Sequence, residues 1–288
     1  MLHPLRTIVA GVASLDAPDP LLPHVAGTAR ALGATLHVVH AFDGGHAAGL
    51  RARLEARLRA DAPGTAAVLH LVEGAATERL PEMARAVGAE LLVVGATRGN
   101  RVWRRFLGTT AEGVVRRAGV PVLVQRASLA RGPRRVLLAA DLSDAGAEVH
   151  ERGLDVAGAL CPGGSPDLRS LRVVEDGPAR SAREAAAQRE LDAFVRGRRP
   201  RARGVQCKVR LGVPADEILA EASEWAADLV VLGTGGGPGA ARFHLGSVAA
   251  AALRGAPCSV LAVPTPPRRE TPEAARAPEA MPAPLPAA

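Results

Sequence analysis

The chain has no tyrosine, and tryptophan and phenylalanine together bring the aromatic share to only 2%. Proteins that hold single-stranded nucleic acid need aromatic faces for the bases, so that class of function is set aside first. Lysine is almost missing as well: Lys208 is the single one, and every other basic side chain is an arginine. The arginines are spread along the whole chain, so the net charge of +7 reads as a general preference for anionic ligands and acidic partners, not as a nucleic-acid footprint. No apolar run approaches the roughly 20 residues of a membrane helix. The stretch TIVAGVASL after Arg6 reads as a first strand and not as an export signal, because a near copy, RVLLAADLS, returns at 135–143.

Cysteine is scarce too. Cys161, Cys207 and Cys258 are odd in number and none sits at the two-residue spacing of a metal clamp, so a reduced cytoplasm is the expected setting. His37 and His40 lie three apart on a predicted strand, which sends them to opposite faces and away from a common metal. No metal site is expected, and neither nucleic acid nor membrane is an expected partner.

What the chain does have is length for two domains, 288 residues with 48% apolar and 23% charged content, and an internal repeat. Residues 91–124, LLVVGATRGNRVWRRFLGTTAEGVVRRAGVPVLV, superpose without a gap on 229–262, LVVLGTGGGPGAARFHLGSVAAAALRGAPCSVLA. Gly95 then meets Gly233, Gly108 meets Gly246 and Thr109 meets Ser247. TIVAGVAS (7–14) matches VLLAADLS (136–143), and LHVV (36–39) matches LRVV (171–174), with CPGGSPDLRS read as a surface insertion.

Apolar strand runs alternate with helix-length segments in each half. In the second half the strands are predicted at 136–141, 170–175, 205–210, 229–232 and 259–263, with helices from about Asp144, over 181–196, over 214–226 and from Ser247. Runs such as DLVVLG suit strands covered on both faces. The expected class is α/β: two tandem doubly wound domains, each a five-stranded parallel sheet of order 3-2-1-4-5 flanked by helices. The expected boundaries are 1–128 and 129–264, joined through the arginine-rich QRASLARGPRR, with a disordered Pro/Ala-rich tail over 265–288.

In such a sheet ligands gather beyond the carboxyl ends of the strands where the strand order reverses, which is between the first and fourth strands of a half. In the second half those strands lead to Asp141 and Gly233. Six glycines crowd the segment from Gly233 to Gly246, and a helix then opens on Ser247. Gly233 permits a sharp turn, Gly236 lets main chain approach an anion, and the helix N-terminus suits phosphate. Ser247 can cap the helix, donate to phosphate, or do both. Asp141 can accept from an amine such as that of adenine. Other phosphate signatures fail: no lysine precedes Ser247, as a P-loop requires, and Gly235, Gly237 and Ala240 follow the fourth strand where a dinucleotide fingerprint follows the first.

The pattern GxxG, nine residues, then Gly and Ser or Thr is complete in Gly233, Gly236, Gly246 and Ser247, and here the chain resembles the ATP-binding branch of the universal stress protein family. The resemblance covers about 5–126 and 134–264. It implies that Ala139, Ala140, Asp141 and the backbone at Val173 hold adenine, that Leu232 and Gly233 line the adenosine, and that Gly236, Gly246, Ser247 and Val248 bind phosphates, with Arg242 and His244 reaching from the same loop. The family's usual proline two positions before the aspartate is Ala139 here. In the first half Gly95, Gly108 and Thr109 remain, but Val12 stands where the alignment puts Asp141, and Arg98 replaces Gly236. That half is expected to be a decayed copy kept for packing, or one in which Arg98 serves another anion. The arginines of TRGNRVWRRF offer a small basic patch or a solvated loop.

No nucleophile, base and orienting group stand together, so dedicated catalysis is not expected. The resemblance implies an ATP-binding protein of stress response or signalling, with Mg²⁺ arriving on the ATP. Its alternatives are a slow ATPase or autokinase and a nucleotide-independent dimerisation and interaction scaffold. The last strands of the halves, 121–125 and 259–263, fall at sheet edges, which invite pairing. The resemblance implies that they pair within the chain and that two chains then associate as a homodimer.

Overall fold

A computed structural model describes residues 5–15, 21–44, 48–96, 109–126, 132–161, 165–198, 204–235 and 245–265. The first half runs β1 (Thr7–Gly11), α1 (Leu21–Leu32), β2 (Thr35–Phe42), α2 (Leu50–Asp61), β3 (Ala67–Glu73), α3 (Ala76–Ala86), β4 (Leu91–Gly95), α4 (Thr109–Arg117) and β5 (Val122–Gln125). The second repeats it with β6 (Arg135–Ala139), α5 (Asp144–Ala159), β7 (Asp167–Val174), α6 (Arg180–Gly197), β8 (Gln206–Leu211), α7 (Pro214–Glu224), β9 (Leu229–Gly233), α8 (Ser247–Gly255) and β10 (Ser259–Val263). This is the α/β architecture read from the sequence. The first four residues of β4 and of β9 are all buried, as strands sandwiched between helix layers must be.

The strands join in one sheet of order β3-β2-β1-β4-β5-β10-β9-β6-β7-β8. Each half has the 3-2-1-4-5 order, parallel throughout, and the halves meet where β5 and β10 pair antiparallel through Val124↔Val260, Leu123↔Leu261 and Val122↔Ala262. These six residues are at most 1% exposed. One apolar layer, carried by α1, α2 and α5, and a second, carried by α3, α4, α7 and α8, both run across this seam without a break. The α6 helix adds a smaller cluster around Leu191 and Phe194 beside α5.

Three sequence readings shift. First, β6 ends at Ala139, so Asp141 stands two residues beyond the ladder and not at the end of a strand reaching 141. Second, β7 begins at Asp167, inside the segment read as an insertion, because Asp167 to Ser170 are zipped onto Arg135 to Leu138. Third, the halves are related by a different register in their first strands. Ile8 pairs with Leu91 as Val136 pairs with Leu229, and the N–H groups of Val12 and Ala140 both reach across to the second strand of their half. Val12 therefore corresponds to Ala140, and Ala13 to Asp141. A slip of one residue exchanges the faces of a strand, which a match of short apolar strings does not sense. The same ladders set Val39 opposite Gly11 and Leu171 opposite Ala139, so LHVV corresponds to 168–171.

Candidate functional site

The parallel strands β6 and β9 leave the sheet side by side. Their ladder stops at Leu138↔Val231. Beyond it Ala139 stays with Leu171 on β7, while Leu232 and Gly233 stay with Ala262 and Val263 on β10. The two chain ends part at the reversal of strand order, where a crevice is expected in an open α/β sheet. In the first half the corresponding ladder continues one pair further, to Gly11↔Val94. Leu80 of α3 crowds the space beside Gly11, 2.6 Å from where a Cβ would stand.

Asp141 is exposed at this parting. Its Oδ1 accepts the N–H of Ser143 at 2.8 Å and also the Ser143 hydroxyl. Ser143 is the N-cap of α5, its Oγ accepting the Gly146 N–H at 3.0 Å. The carboxylate is thus held by one oxygen through the start of a helix, and among the described residues its Oδ2 takes no hydrogen bond. Gly146 has a reason to lack a side chain: a Cβ there would run into the Asp141 carboxylate and would lie 2.6 Å from its carbonyl oxygen. Val173 sits one residue short of the β7 end, half-buried against the layer that contains α8.

Across the parting, Thr234 N–H donates to Val263 O at 2.9 Å and Gly246 N–H donates to Thr234 O at 3.0 Å. The glycine-rich segment therefore leaves and returns at one point. Gly246 is the N-cap of α8, with no side-chain cap and no acidic residue in the first turn of the helix. Ser247 is exposed, and Val248 packs partly into the core layer. The start of α8 thus offers the N–H groups and positive dipole end of a helix N-terminus with no carboxylate in its own first turn. The α4 helix differs: its Thr109 is exposed, but Glu112 in its first turn pairs with Arg116 at 2.9 Å and with Arg254 at 3.1 Å. The first turn of α4 thus carries a carboxylate where that of α8 carries none. Gly95 of the first half is exposed, and among the described residues nothing lies within 4 Å of where its Cβ would stand.

Thr265, just past β10, was not singled out by the sequence. Its Oγ1 accepts the Gly235 N–H at 2.8 Å, and its side chain fills the space beside Gly233 and Gly235, with Val149 also against Gly233. The absence of side chains at these glycines is used by the protein's own packing. A threonine following an apolar last strand gave no signal by itself. Gly236, Arg242 and His244, and in the first half Arg98 and Gly108 with the arginines of 101–105, lie outside the described residues, as do the linker over 127–131 and 266–288 of the tail.

The histidines and the far edge carry other interactions. His37 stacks on His70, ring centroids 5.1 Å apart, and His40 lies 2.9 Å from Val12 O. Between β7, β8 and α7 a cleft of about 350 Å³ is lined by Arg169, Lys208, Arg210, Glu221, Glu224 and Trp225. Its carboxylates and guanidiniums pair with one another. No helix among the described residues is long and apolar enough to cross a membrane.

The model of the Universal stress protein family matches residues 44–126 and 132–264. Universal stress protein MJ0531 of Methanocaldococcus jannaschii is 49% identical over 55 residues, 19% of this chain and 32% of that protein, so the chain spans about a third of the length of the curated relative it matches. A functionally unknown protein, PA1789, from Pseudomonas aeruginosa PAO1 shares the fold, with a TM-score of 0.71 at 17% identity over 91% of this chain and 93% of its own. A universal stress protein from Archaeoglobus fulgidus gives a TM-score of 0.62 at 19% identity over 89% and 96%.

Proposed function

The chain belongs to the universal stress protein family, and on that premise we propose that its second half binds ATP, with Mg²⁺ carried on the phosphates, as a cytoplasmic sensor in stress response or signalling. The observations that carry the reading are an α8 N-terminus without a side-chain cap and an anchored carboxylate, which follow the two strands that part at the reversal of sheet order. Asp141, fixed through Oδ1, turns Oδ2 to the exocyclic amine of adenine, and the backbone at Ala139, Ala140 and Val173 borders the base. Leu232 and Gly233 flank the adenosine. Gly236, Gly246, Ser247 and Val248 take the phosphates with main-chain N–H groups and the Ser247 hydroxyl, and Arg242 adds charge. Supporting the choice of half, the first has no carboxylate at Ala13 and carries an acidic residue, Glu112, in the first turn of α4.

Isothermal titration calorimetry of ATP into the full chain tests this. Saturable binding at one site per chain, weakened about tenfold by Asp141→Ala, is the expected result. A second reading, a scaffold that ignores nucleotides, draws on Thr265 filling the room beside Gly233 and Gly235. It gains if the wild-type chain gives no binding heat and no thermal shift with ATP.

A further inference from the structure

Arg126 follows β5 directly, yet its side chain serves a helix of the other half. Its N–H donates to Ser259 Oγ at 3.1 Å, across the seam. Its Nη2 donates to the main-chain oxygens of Leu253 and, at 3.2 Å, of Arg254. These carbonyls belong to the last turn of α8, where the helix offers no N–H groups of its own. A positive charge there also suits the dipole. A second link comes from the same half: Arg254 Nη1 donates to Glu112 Oε2 on α4 at 3.1 Å.

The hold of Arg126 on a helix end is not repeated by its counterpart. In the repeat, Pro264 takes the place of Arg126, since Gln125 pairs with Gly95 as Val263 pairs with Gly233. Proline has no side-chain donor, so Pro264 cannot hold the end of α4 as Arg126 holds the end of α8. Likewise Ala250 stands where the first half has Glu112. The half with the degenerate motif grips the helix of the half with the intact one. That helix is short, nine residues or about 13 Å, and three of its four buried residues are alanines, Ala249, Ala250 and Ala252, with Leu253 as the one large buried side chain.

We propose that Arg126 is a positioning residue for the phosphate end of the nucleotide site: the first half holds α8 by its C-terminus and thereby sets where its N-terminal N–H groups point. The inference rests on the reading that ATP phosphates lie at the start of α8. It gives the first half a task in binding without any ligand of its own. Adenosine, which lacks phosphates, does not depend on this hold.

The test compares the full wild-type chain with Arg126→Ala and Arg126→Lys, using calorimetry with ATP and with adenosine, and hydrogen exchange at the amides of Ala250 to Leu253 in the free protein. In Arg126→Ala the ATP Kd is expected to rise roughly fivefold or more, the adenosine Kd to stay put, and the α8 amides to exchange faster. Arg126→Lys, cationic but without the fork, recovers part of the loss. Unchanged exchange and unchanged ATP affinity overturn the proposal, and so does an equal loss for ATP and adenosine. If Arg126→Ala does not fold, Arg126→Lys and Glu112→Gln carry the same comparison. Failure of the nucleotide reading shows separately, as no ATP heat with the wild-type chain, while exchange in the free chain still supports or overturns the hold on α8.

Discussion

His24 on α1 donates through Nδ1 to Oε1 of Gln125, 2.8 Å away, inside the core of the first half. At this level of α5 the second half has Gly153 against Val231 and Val263, and Val263 is the repeat counterpart of Gln125. The two halves thus fill one position in opposite ways, with a buried polar pair and with apolar contact. His24 Nε2 is buried without a hydrogen-bond partner among the described residues, and burial lowers the pKa of this imidazole, so the ring is neutral.

His150 on α5 behaves alike and more strongly. It is 2% exposed, bonds Ser170 Oγ through Nε2 at 3.2 Å, and is pushed down to about 4 by burial and then by the Arg198 charge. The unfolded chain, with an ordinary value of 6.5, takes up protons first as the pH falls. Stability is therefore full above pH 6.5 and is lost between 6.5 and about 4, on the order of 3 kcal/mol over that window from His150. Urea unfolding at pH 7 and pH 5 reads the loss. His150→Gln keeps a donor for Ser170 but does not titrate, so it should flatten the dependence; parallel curves for the two proteins would remove His150 as its cause.

Glu221 on α7 is 3% exposed in its side chain and lies 2.5 Å from Arg169 and 2.9 Å from Arg210, with Arg169 stacked over Trp225 at 4.3 Å. Replacing it by Gln leaves two guanidiniums facing a neutral amide in a buried setting. The expected loss is about 3 kcal/mol in urea unfolding. Glu224 bonds the same Arg210 but is 64% exposed, and Glu224→Gln should barely move the midpoint.

Gly146→Ala reverses a usual sign. An alanine inside a helix gains up to about 1 kcal/mol over glycine, and Gly27→Ala on α1, where none of the described residues comes within 4 Å of the added methyl, should show that gain. At position 146 the new methyl meets the Asp141 carboxylate and its carbonyl oxygen, so a loss of about 1–3 kcal/mol is expected. Displacing Asp141 should also weaken ATP binding, which calorimetry on the same variant measures.

The thiols should be unreactive. Burial raises Cys161 and Cys207 to about 11 and Cys258 to about 12, leaving almost no thiolate at pH 8. Iodoacetamide is expected to label the native chain far more slowly than the urea-unfolded one, with Cys207, the half-buried thiol, first. Rapid labelling of Cys258 in native protein would contradict its burial.

The repeat, the strand order and the parting at β6 and β9 were legible because they follow from apolar runs and from glycines at fixed spacing. The first-strand register was not. Aligning TIVAGVAS with VLLAADLS sets Ala10 on Ala139 and Ser14 on Ser143, whereas the true register, one residue away, has no identity in this stretch, and only the cross-strand pairing selects Ala13 over Val12. The start of β7 was hidden because DLRS has the composition of a loop and becomes a strand by pairing with β6. In the site, Ser143 and Gly146 carried a signal that can be read, a serine N-cap three residues before a glycine on a helix opening at Asp144. Thr265 and Arg126 carried none. Their roles depend on neighbours 30 and more than 120 positions away, brought close by the sheet and by the seam.

That seam has a consequence for how the protein responds to its own abundance. Strands β5 and β10 belong to one polypeptide, so their meeting is an intramolecular event governed by the tether and not by how many molecules a cell makes. Dilution cannot pull the halves apart. A helix steadied from the opposite half stays steadied at any expression level, which suits a component that must work from its first copies.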